Sequence, residues 1–208
     1  MTSVPRLFFV LISKNAKAIK HRVSDEELVE QIVVTKSSLL FSVLYDRYSK
    51  KVYNKCYSFA KDSDEAKDLT QEVFLKLFTK LHSFNGTSKF STWLYAFTYN
   101  FCVNYSNRDT GKKMKSLSDA MKEHEYHLFS DNDLEIVDEE TLFQLKASKL
   151  TLALDQIDPM EKALLLLKYQ DDVSIKEMMV IYGIGESAIK MRLKRAKQKL
   201  IAVHTKSL

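Results

Sequence analysis

Apolar residues recur at helical spacing along most of this chain, and helix caps stand at the breaks between the runs. The clearest start lies at residues 23–28, where Ser24 can cap a helix and Glu27 occupies the capping-box position. A second helix is predicted over about 36–61 from its apolar stripe. From Ser24 to Arg108 the pattern predicts four helices.

The third and fourth helices differ in character. The third opens at the capping residue Asp62 and runs to about residue 82, with apolar residues every four positions. The turn Asn85-Gly86 follows. The fourth helix, over about 88–107, is rich in aromatic residues.

The C-terminal part has the form of a second helical domain. A capping acid and a proline at the first helical position, Asp158-Pro159, start a helix that ends at Asp171-Asp172. Ser174 and Glu177 form the capping box of the next helix. After the turn at Gly183 the last helix spans about 186–202. Residues 174–202 therefore predict a helix-turn-helix.

Composition agrees with a helical fold. Only 4 Gly and 2 Pro leave few residues for the tight turns of an all-β protein. We expect an all-α protein with two small helical domains joined by an acidic linker. The predicted divisions are a disordered N-terminal extension over 1–22, a first domain over 23–112, a linker over 113–141 and a helix-turn-helix domain over 142–208.

The N-terminal extension carries the apolar run 7–12 behind Arg6. Six apolar residues are fewer than a usual signal-peptide core contains, and Lys14 interrupts the approach to a formal cleavage pattern. The extension is expected to be dispensable. The sequence contains no apolar run of the length that a membrane span needs, so no stable membrane association is expected.

Charge is unevenly distributed over the chain. The net charge is +5, but residues 119–140 contain nine acids and one base, which leaves +13 for the rest. A basic body with an acidic middle favours a polyanionic partner.

The last helix concentrates positive charge on one face. Six bases and one acid, Glu186, fall within residues 186–202. The apolar stripe on its other face consists of Ile189, Leu193, Ala196 and Leu200. Long cationic side chains on such a helix can reach phosphates and base edges in a major groove. A solvated basic face is the alternative, but the capped helix and glycine turn before it favour DNA binding.

The fourth helix and its approach gather eight of the 23 aromatic residues within positions 84–105. Bases that leave a duplex need rings to stack on and amides to pair with, and asparagines are interleaved here. Aromatic stripes are more often core, however. Leu94, Phe97 and Phe101 are assigned to the core, and two or three rings are expected at a surface.

The third helix has a polar face opposite its apolar stripe, formed by Asp68, Gln71, Glu72 and Leu75. On physical grounds this face is either solvated or a docking surface, and the spacing alone leaves both open.

Catalytic and metal chemistry is not expected. Cys56 and Cys102 are far apart and form no metal-ligand or disulfide pattern. The sequence contains no nucleophile–base pair, no phosphate-binding glycine loop and only scattered histidines. We expect neither an enzyme, nor a cofactor, nor a small-molecule substrate.

Two stretches resemble a known family. Residues 68–74 (DLTQEVF), together with 90–95 (FSTWLY) and Asn100, resemble region two of the extracytoplasmic function (ECF) sigma factors. Residues 154–159 (LDQIDP) and 189–196 (IKMRLKRA) resemble their region four. The resemblance covers about 24–112 and 142–203, in the family's order.

The resemblance implies a cytoplasmic transcription initiation factor that binds core RNA polymerase and promoter DNA and is held by an anti-sigma factor. Core polymerase would be bound by Asp68, Gln71, Glu72 and Leu75. The minus-ten element would be opened and held by Phe84, Asn85, Lys89, Trp93, Tyr95, Asn100, Asn104 and Arg108. The minus-thirty-five element would be read by Ser187, Lys190, Met191, Lys194, Arg195 and Lys197.

The sequence departs from the family pattern at a few positions. Many members have Asp at the position of Asn104 and an arginine pair at Asn107-Arg108. Gly185 replaces the usual Ser or Thr cap, and Met191 replaces a small residue. These departures bear on which promoter is read. The rival interpretation is a helix-turn-helix regulator that binds operator DNA without polymerase.

Overall fold

A computed structural model describes residues 23–109 and 147–206. The described residues form eight α-helices and no strand, which confirms the predicted all-α class. The N-terminal extension over 1–22 and the whole of the predicted acidic linker over 113–141 lie outside the described residues. The chain divides into two compact units between Ser91 and Thr92, inside the aromatic helix. The domain limits predicted from the sequence were drawn by function, and they stay a prediction.

The first unit contains three helices, a short turn and the start of a fourth helix. These are α1 (Asp25–Thr35), α2 (Ser38–Tyr57), α3 (Ser63–Lys80), a 3-10 turn (Leu81–Ser83) and the first residues of α4 (Phe90–Asp109).

Local capping explains where these helices begin. Ser24 Oγ accepts from the backbone N–H of Glu27 at 3.2 Å, and the Glu27 carboxylate accepts from the backbone N–H of Ser24 at 3.0 Å. This is the predicted capping box. Asp62 caps α3 as predicted, by accepting from two backbone N–H groups. The second helix is shorter than predicted, because Ser37 caps it and it ends at Tyr57.

The core of the first unit lies where α2 and α3 face each other. Leu44 and Val52 on α2 and Val73 and Leu77 on α3 are completely buried. Helix α1 is joined to α2 through Asp25, which accepts from the Arg47 guanidinium at 2.6 Å and also from the Tyr48 hydroxyl.

The second unit contains the rest of α4 and four further helices. These are α5 (Ala147–Leu154), α6 (Pro159–Leu165) with a π-helical turn (Leu166–Gln170), α7 (Ile175–Tyr182) and α8 (Glu186–Lys206). Asp158 caps α6, with Pro159 at the first helical position, as predicted. The π-helical turn ends at Asp171, and Asp172 adopts a positive φ of 53°.

The last helix is buried against this unit along the predicted stripe of Ile189, Leu193, Ala196 and Leu200. It is four residues longer than predicted. His204 lies four residues after Leu200, continues the stripe and is buried, so the last turn of the helix also has a buried face.

In the described parts of the chain, no helix has the length and apolar character required to cross a membrane. The same parts contain no group of three side chains that could together hold a metal ion.

Candidate nucleic-acid interface

Helix α3 presents the predicted polar face to solvent. Asp68, Gln71 and Glu72 are exposed, and the Leu75 side chain is 71% exposed. The opposite side of the helix carries the buried stripe. The exposure of this face agrees with the sequence analysis. Its use as a docking surface stays a prediction.

The segment between the 3-10 turn and α4 brings Phe84, Asn85 and Lys89 to the start of the aromatic helix. Phe84 is half-buried and contacts Phe90 edge-to-face, with ring centroids 5.4 Å apart. Asn85 Oδ1 accepts from the backbone N–H and the hydroxyl of Thr87 at 3.2 and 2.7 Å. Lys89 is exposed.

A cavity of about 430 Å³ opens beside this segment, between it and α1. Its lining includes the carboxylates of Glu26, Glu27 and Glu30 together with Phe84 and Asn85. The acidic wall makes this cavity an unfavourable place for phosphate groups.

The aromatic helix α4 is shielded over most of its length. Every position from Phe90 to Asn107 is buried or half-buried. Leu94 and Phe101 are buried, as predicted. Phe97, assigned to the core, is only half-buried and stacks on Trp93, with ring centroids 5.5 Å apart and planes 22° apart.

The other residues predicted to contact the minus-ten element lie on this helix. Tyr95, Asn100 and Asn104 are half-buried, and Arg108 is exposed. Asn104 Oδ1 is shielded from solvent and accepts no hydrogen bond from the described residues. An orphaned acceptor of this kind is unfavourable in the free protein and is available to a donor that a ligand brings.

In the second unit, one hydrogen bond joins α4 to the helix-turn-helix. Thr92 Oγ1 donates to Glu177 Oε1 at 3.2 Å. The Tyr99 ring is completely buried. Burial first, and then the negative charge of Asp171, raise the pKa of the Tyr99 hydroxyl far above its usual range.

The helix-turn-helix has the geometry that the sequence predicted. Ser174 and Glu177 form both bonds of the capping box at the start of α7. Gly183 ends α7 in the left-handed region, with φ 64°, where a residue without Cβ is favoured. Ile184 is buried in the turn, and α8 begins at Glu186.

The residues predicted to read DNA lie along the outer side of α8. Ser187 and Lys190 are exposed, whereas Met191, Lys194, Arg195 and Lys197 are half-buried. Lys190 Nζ pairs with Glu186 Oε1 at 2.6 Å, and the hydrogen bond from Lys190 lowers the pKa of Glu186. The Lys197 ammonium lies 5.2 Å from the centroid of the Tyr169 ring. Lys190 and Lys197 are therefore both engaged by neighbouring side chains.

Comparison with known proteins finds similarity to one family. Residues 44–111 match the family described as sigma-70 region 2. The chain is 27% identical over 164 residues to the ECF RNA polymerase sigma factor SigW of Bacillus subtilis, covering 77% of this chain and 86% of that one. It is 25% identical over 182 residues to the ECF RNA polymerase sigma-E factor of Escherichia coli K12, covering 84% and 94%.

These matches make the chain similar to the ECF sigma factors over most of its length.

Solved structures show the same fold. CnrH, solved in complex with the cytosolic domain of CnrY, aligns with a TM-score of 0.53 at 18% identity, over 85% of this chain and 94% of that chain. The Bartonella quintana sigma factor RpoE, solved with the anti-sigma factor NepR, aligns with a TM-score of 0.50 at 18% identity, over 78% and 95%.

Sequence reasoning missed the acids that interact with the aromatic helix. Glu26 Oε1 accepts from the backbone N–H of Phe90 at 2.9 Å, Glu177 Oε1 accepts from the Thr92 hydroxyl at 3.2 Å, and the charge of Asp171 contributes to the raised pKa of Tyr99. Each acid also fits a purely local role in a helix cap or a helix end, so the sequence contains no signal for its distant partner.

Proposed function

We propose that this chain binds core RNA polymerase and directs it to promoters, where it recognises and opens DNA. The observation that carries the proposal is the family match over residues 44–111, in a chain that also contains a helix-turn-helix with a basic outer face. The matched region contains the aromatic helix, and the helix-turn-helix contains a helix that can enter a major groove.

Core polymerase is assigned to the exposed face of α3. Carboxylates and an amide stand beside the exposed Leu75, so the face offers charge, hydrogen bonds and one apolar anchor. The residues assigned to this contact are Asp68, Gln71, Glu72 and Leu75.

The minus-ten element is assigned to α4 and the segment before it. Half-buried rings and amides lie next to one another here, which suits unpaired bases that need both stacking and edge contacts. The residues assigned to this contact are Phe84, Asn85, Lys89, Trp93, Tyr95, Asn100, Asn104 and Arg108.

The minus-thirty-five element is assigned to the outer side of α8, which carries Ser187, Lys190, Met191, Lys194, Arg195 and Lys197. Ser187 and Lys190 are exposed near the start of the helix, which is the part that enters a groove in helix-turn-helix proteins. The first domain over 23–112 and the second over 142–208 would thus contact separate promoter elements.

An anti-sigma factor is part of the proposal, since the sigma factor RpoE that shares this fold was solved with one. The proposed place of action is the cytoplasm, where RNA polymerase works. The chain itself would carry out no reaction.

The test is to add the purified chain to core RNA polymerase and to sequence the 5′ ends of transcripts made from genomic DNA. The proposal predicts starts that require the chain and share two upstream elements. A regulator that binds operators without polymerase would instead protect duplex DNA alone and create no new starts.

A further inference from the structure

The cavity of about 430 Å³ beside α1 lies within the first unit and follows that helix from its first turn to its last. We call it the α1 groove. Three carboxylates line it near the start of the helix, those of Glu26, Glu27 and Glu30. One base, His82, lies among the lining residues. The groove therefore favours a cationic occupant over an anionic one.

The last turn of α1 gives the groove an apolar end. Val33 is half-buried, the Val34 side chain is 77% exposed, and Phe84 lines the groove from the segment that follows the 3-10 turn. Apolar side chains that stay open to water gain free energy when a further apolar group covers them. The groove thus changes from acidic to apolar along α1.

The N-terminal extension has the complementary composition. Residues 1–22 contain five Lys and Arg residues and no acid. The apolar run 7–12 is followed by Lys14, Lys17 and Lys20. An apolar run with lysines beside it suits a surface on which carboxylates border apolar side chains.

The two patterns also run in matching order. The extension joins α1 through Val23, whose carbonyl oxygen accepts from the Arg47 guanidinium at 2.9 Å. Followed back from Val23, the extension presents its lysines first and its apolar run second. Followed from its first turn, α1 presents carboxylates first and valines second. An extension that turns back at Val23 places opposite charges together and apolar residues together.

The chain is long enough for this arrangement. Between Ile12 and Val23 it can span about 36 Å when extended, whereas Glu26 and Val34 lie about 12 Å apart along the axis of α1. The apolar run can therefore reach the apolar end of the groove in more than one backbone conformation.

We propose that the α1 groove is the binding site for the N-terminal extension of the same chain. The apolar run 7–12 covers Val33, Val34 and Phe84, and the three lysines lie beside the carboxylates. The inference goes beyond the proposed function and does not depend on it. The described helices of the first unit are capped by their own residues, so the extension stays dispensable for the fold.

Disulfide trapping in the full chain tests this proposal. One variant combines Leu11→Cys with Val34→Cys, and its matched control combines Leu11→Cys with Gln31→Cys. Gln31 is exposed on α1 but does not line the groove. Cys56 and Cys102 stay in place, because both are completely buried.

The rate of disulfide formation under diamide is measured at micromolar protein, and mass spectrometry of the digested chain identifies each bond. The rate of each thiol with N-ethylmaleimide corrects for intrinsic reactivity. Circular dichroism melting verifies that each variant is folded.

A second pair of variants tests the role of charge. Glu30→Lys and Asp46→Lys are each added to the Leu11→Cys/Val34→Cys chain. Both acids are exposed and both changes add the same charge, but Asp46 lies on α2 and does not line the groove.

We expect the bond to Val34→Cys to form about tenfold faster than the bond to Gln31→Cys, since docking raises the effective concentration at one site only. Glu30→Lys should slow the bond to Val34→Cys by about two- to fivefold, the effect of losing an exposed ion pair. Asp46→Lys should leave this rate unchanged.

Equal rates for the two cysteine pairs would overturn the proposal, because an undocked extension reaches both positions alike. Equal slowing by the two charge reversals would overturn the pairing of lysines with the groove. Disulfide-linked dimers through Val34→Cys in place of the intramolecular bond would assign the groove to a second copy of the chain and overturn the proposal for the same chain. These readouts contain neither DNA nor polymerase, so their failure leaves the transcription test untouched.

Discussion

Glu26 Oε1 accepts a hydrogen bond from the backbone N–H of Phe90 at 2.9 Å, across 64 positions of sequence. The bond satisfies a donor in the first turn of α4 that the helix cannot satisfy itself, and it places a negative charge at the positive end of the helix. The Phe90 ring is buried and contacts Tyr48 edge-to-face at 5.6 Å. The backbone and the side chain of Phe90 therefore both hold the start of the aromatic helix in place.

Replacing this acceptor should destabilise the protein. We expect Glu26→Ala to lower the free energy of unfolding by about 1 kcal/mol, as the loss of a helix cap does, and Glu26→Gln to lower it less, because the amide oxygen can still accept. Urea denaturation followed by circular dichroism measures both. The matched control is Glu30→Ala, an exposed glutamate on the same helix. Equal stability of Glu26→Ala and the control would contradict the role given to Glu26.

The sequence allowed most local structure to be predicted, because helix starts depend on neighbours a few residues away. The caps at Ser24, Asp62, Asp158 and Ser174 and the turn at Gly183 were all predicted from such spacing. Helix ends were less predictable, since they depend on which side chains find a buried partner. His204 extends α8 beyond its predicted end for that reason.

The residue types of the candidate site could be predicted from the sequence, but the contacts that these residues make could not. Exposure of Gln71 and Glu72 followed from the helical period of α3. The acids that act on α4 come from distant parts of the chain, and helical periodicity contains no information about such pairs. Because aromatic rings lie on all sides of α4, its sequence also does not indicate which face of the helix is buried.

The double variant Gln71→Ala/Glu72→Ala tests the docking face of α3. Both side chains are exposed, so thermal unfolding should be nearly unchanged, while binding to core polymerase should weaken by about tenfold. Fluorescence anisotropy of the labelled chain titrated with core polymerase measures the affinity. The control is Glu30→Ala/Gln31→Ala, the same two residue types exposed on α1. Equal core affinity in the two double variants would refute the assignment.

Lys190 and Lys194 should each contribute to promoter binding through α8. A base contact should cost about 1–3 kcal/mol when removed and relax specificity at one position, whereas a phosphate contact should weaken all sequences and reduce the salt slope by about one. Filter binding of the polymerase complex to promoter DNA at several salt concentrations separates the two.

Lys199→Ala is the control for these variants. Lys199 lies on the same helix, but its ammonium pairs with Glu161 of α6 at 2.5 Å and is engaged within the fold. If Lys190→Ala and Lys194→Ala both behave like this control, the groove-facing side of α8 is wrongly assigned.

Asn100 and Asn104 are four residues apart on α4 and should together hold a base that has left the duplex. Asn104→Ala removes an acceptor that has no partner among the described residues, so it should not lower the melting temperature. Both single alanine variants should bind core polymerase normally and yet transcribe poorly from a duplex promoter. A template with a pre-melted bubble should restore part of that transcription. Equal loss on both templates would place the defect after promoter opening.

The most direct test of the central claim is permanganate reactivity of promoter thymines, measured with the chain alone, with core polymerase alone and with both. If this chain opens promoters as a subunit of polymerase, reactive thymines will appear around the minus-ten element only when both are present. Reactivity should fall in the Gln71→Ala/Glu72→Ala variant, whose binding to core polymerase is expected to be about tenfold weaker. Duplex thymines that stay unreactive with both proteins present, while the chain alone protects the same DNA, would contradict the account.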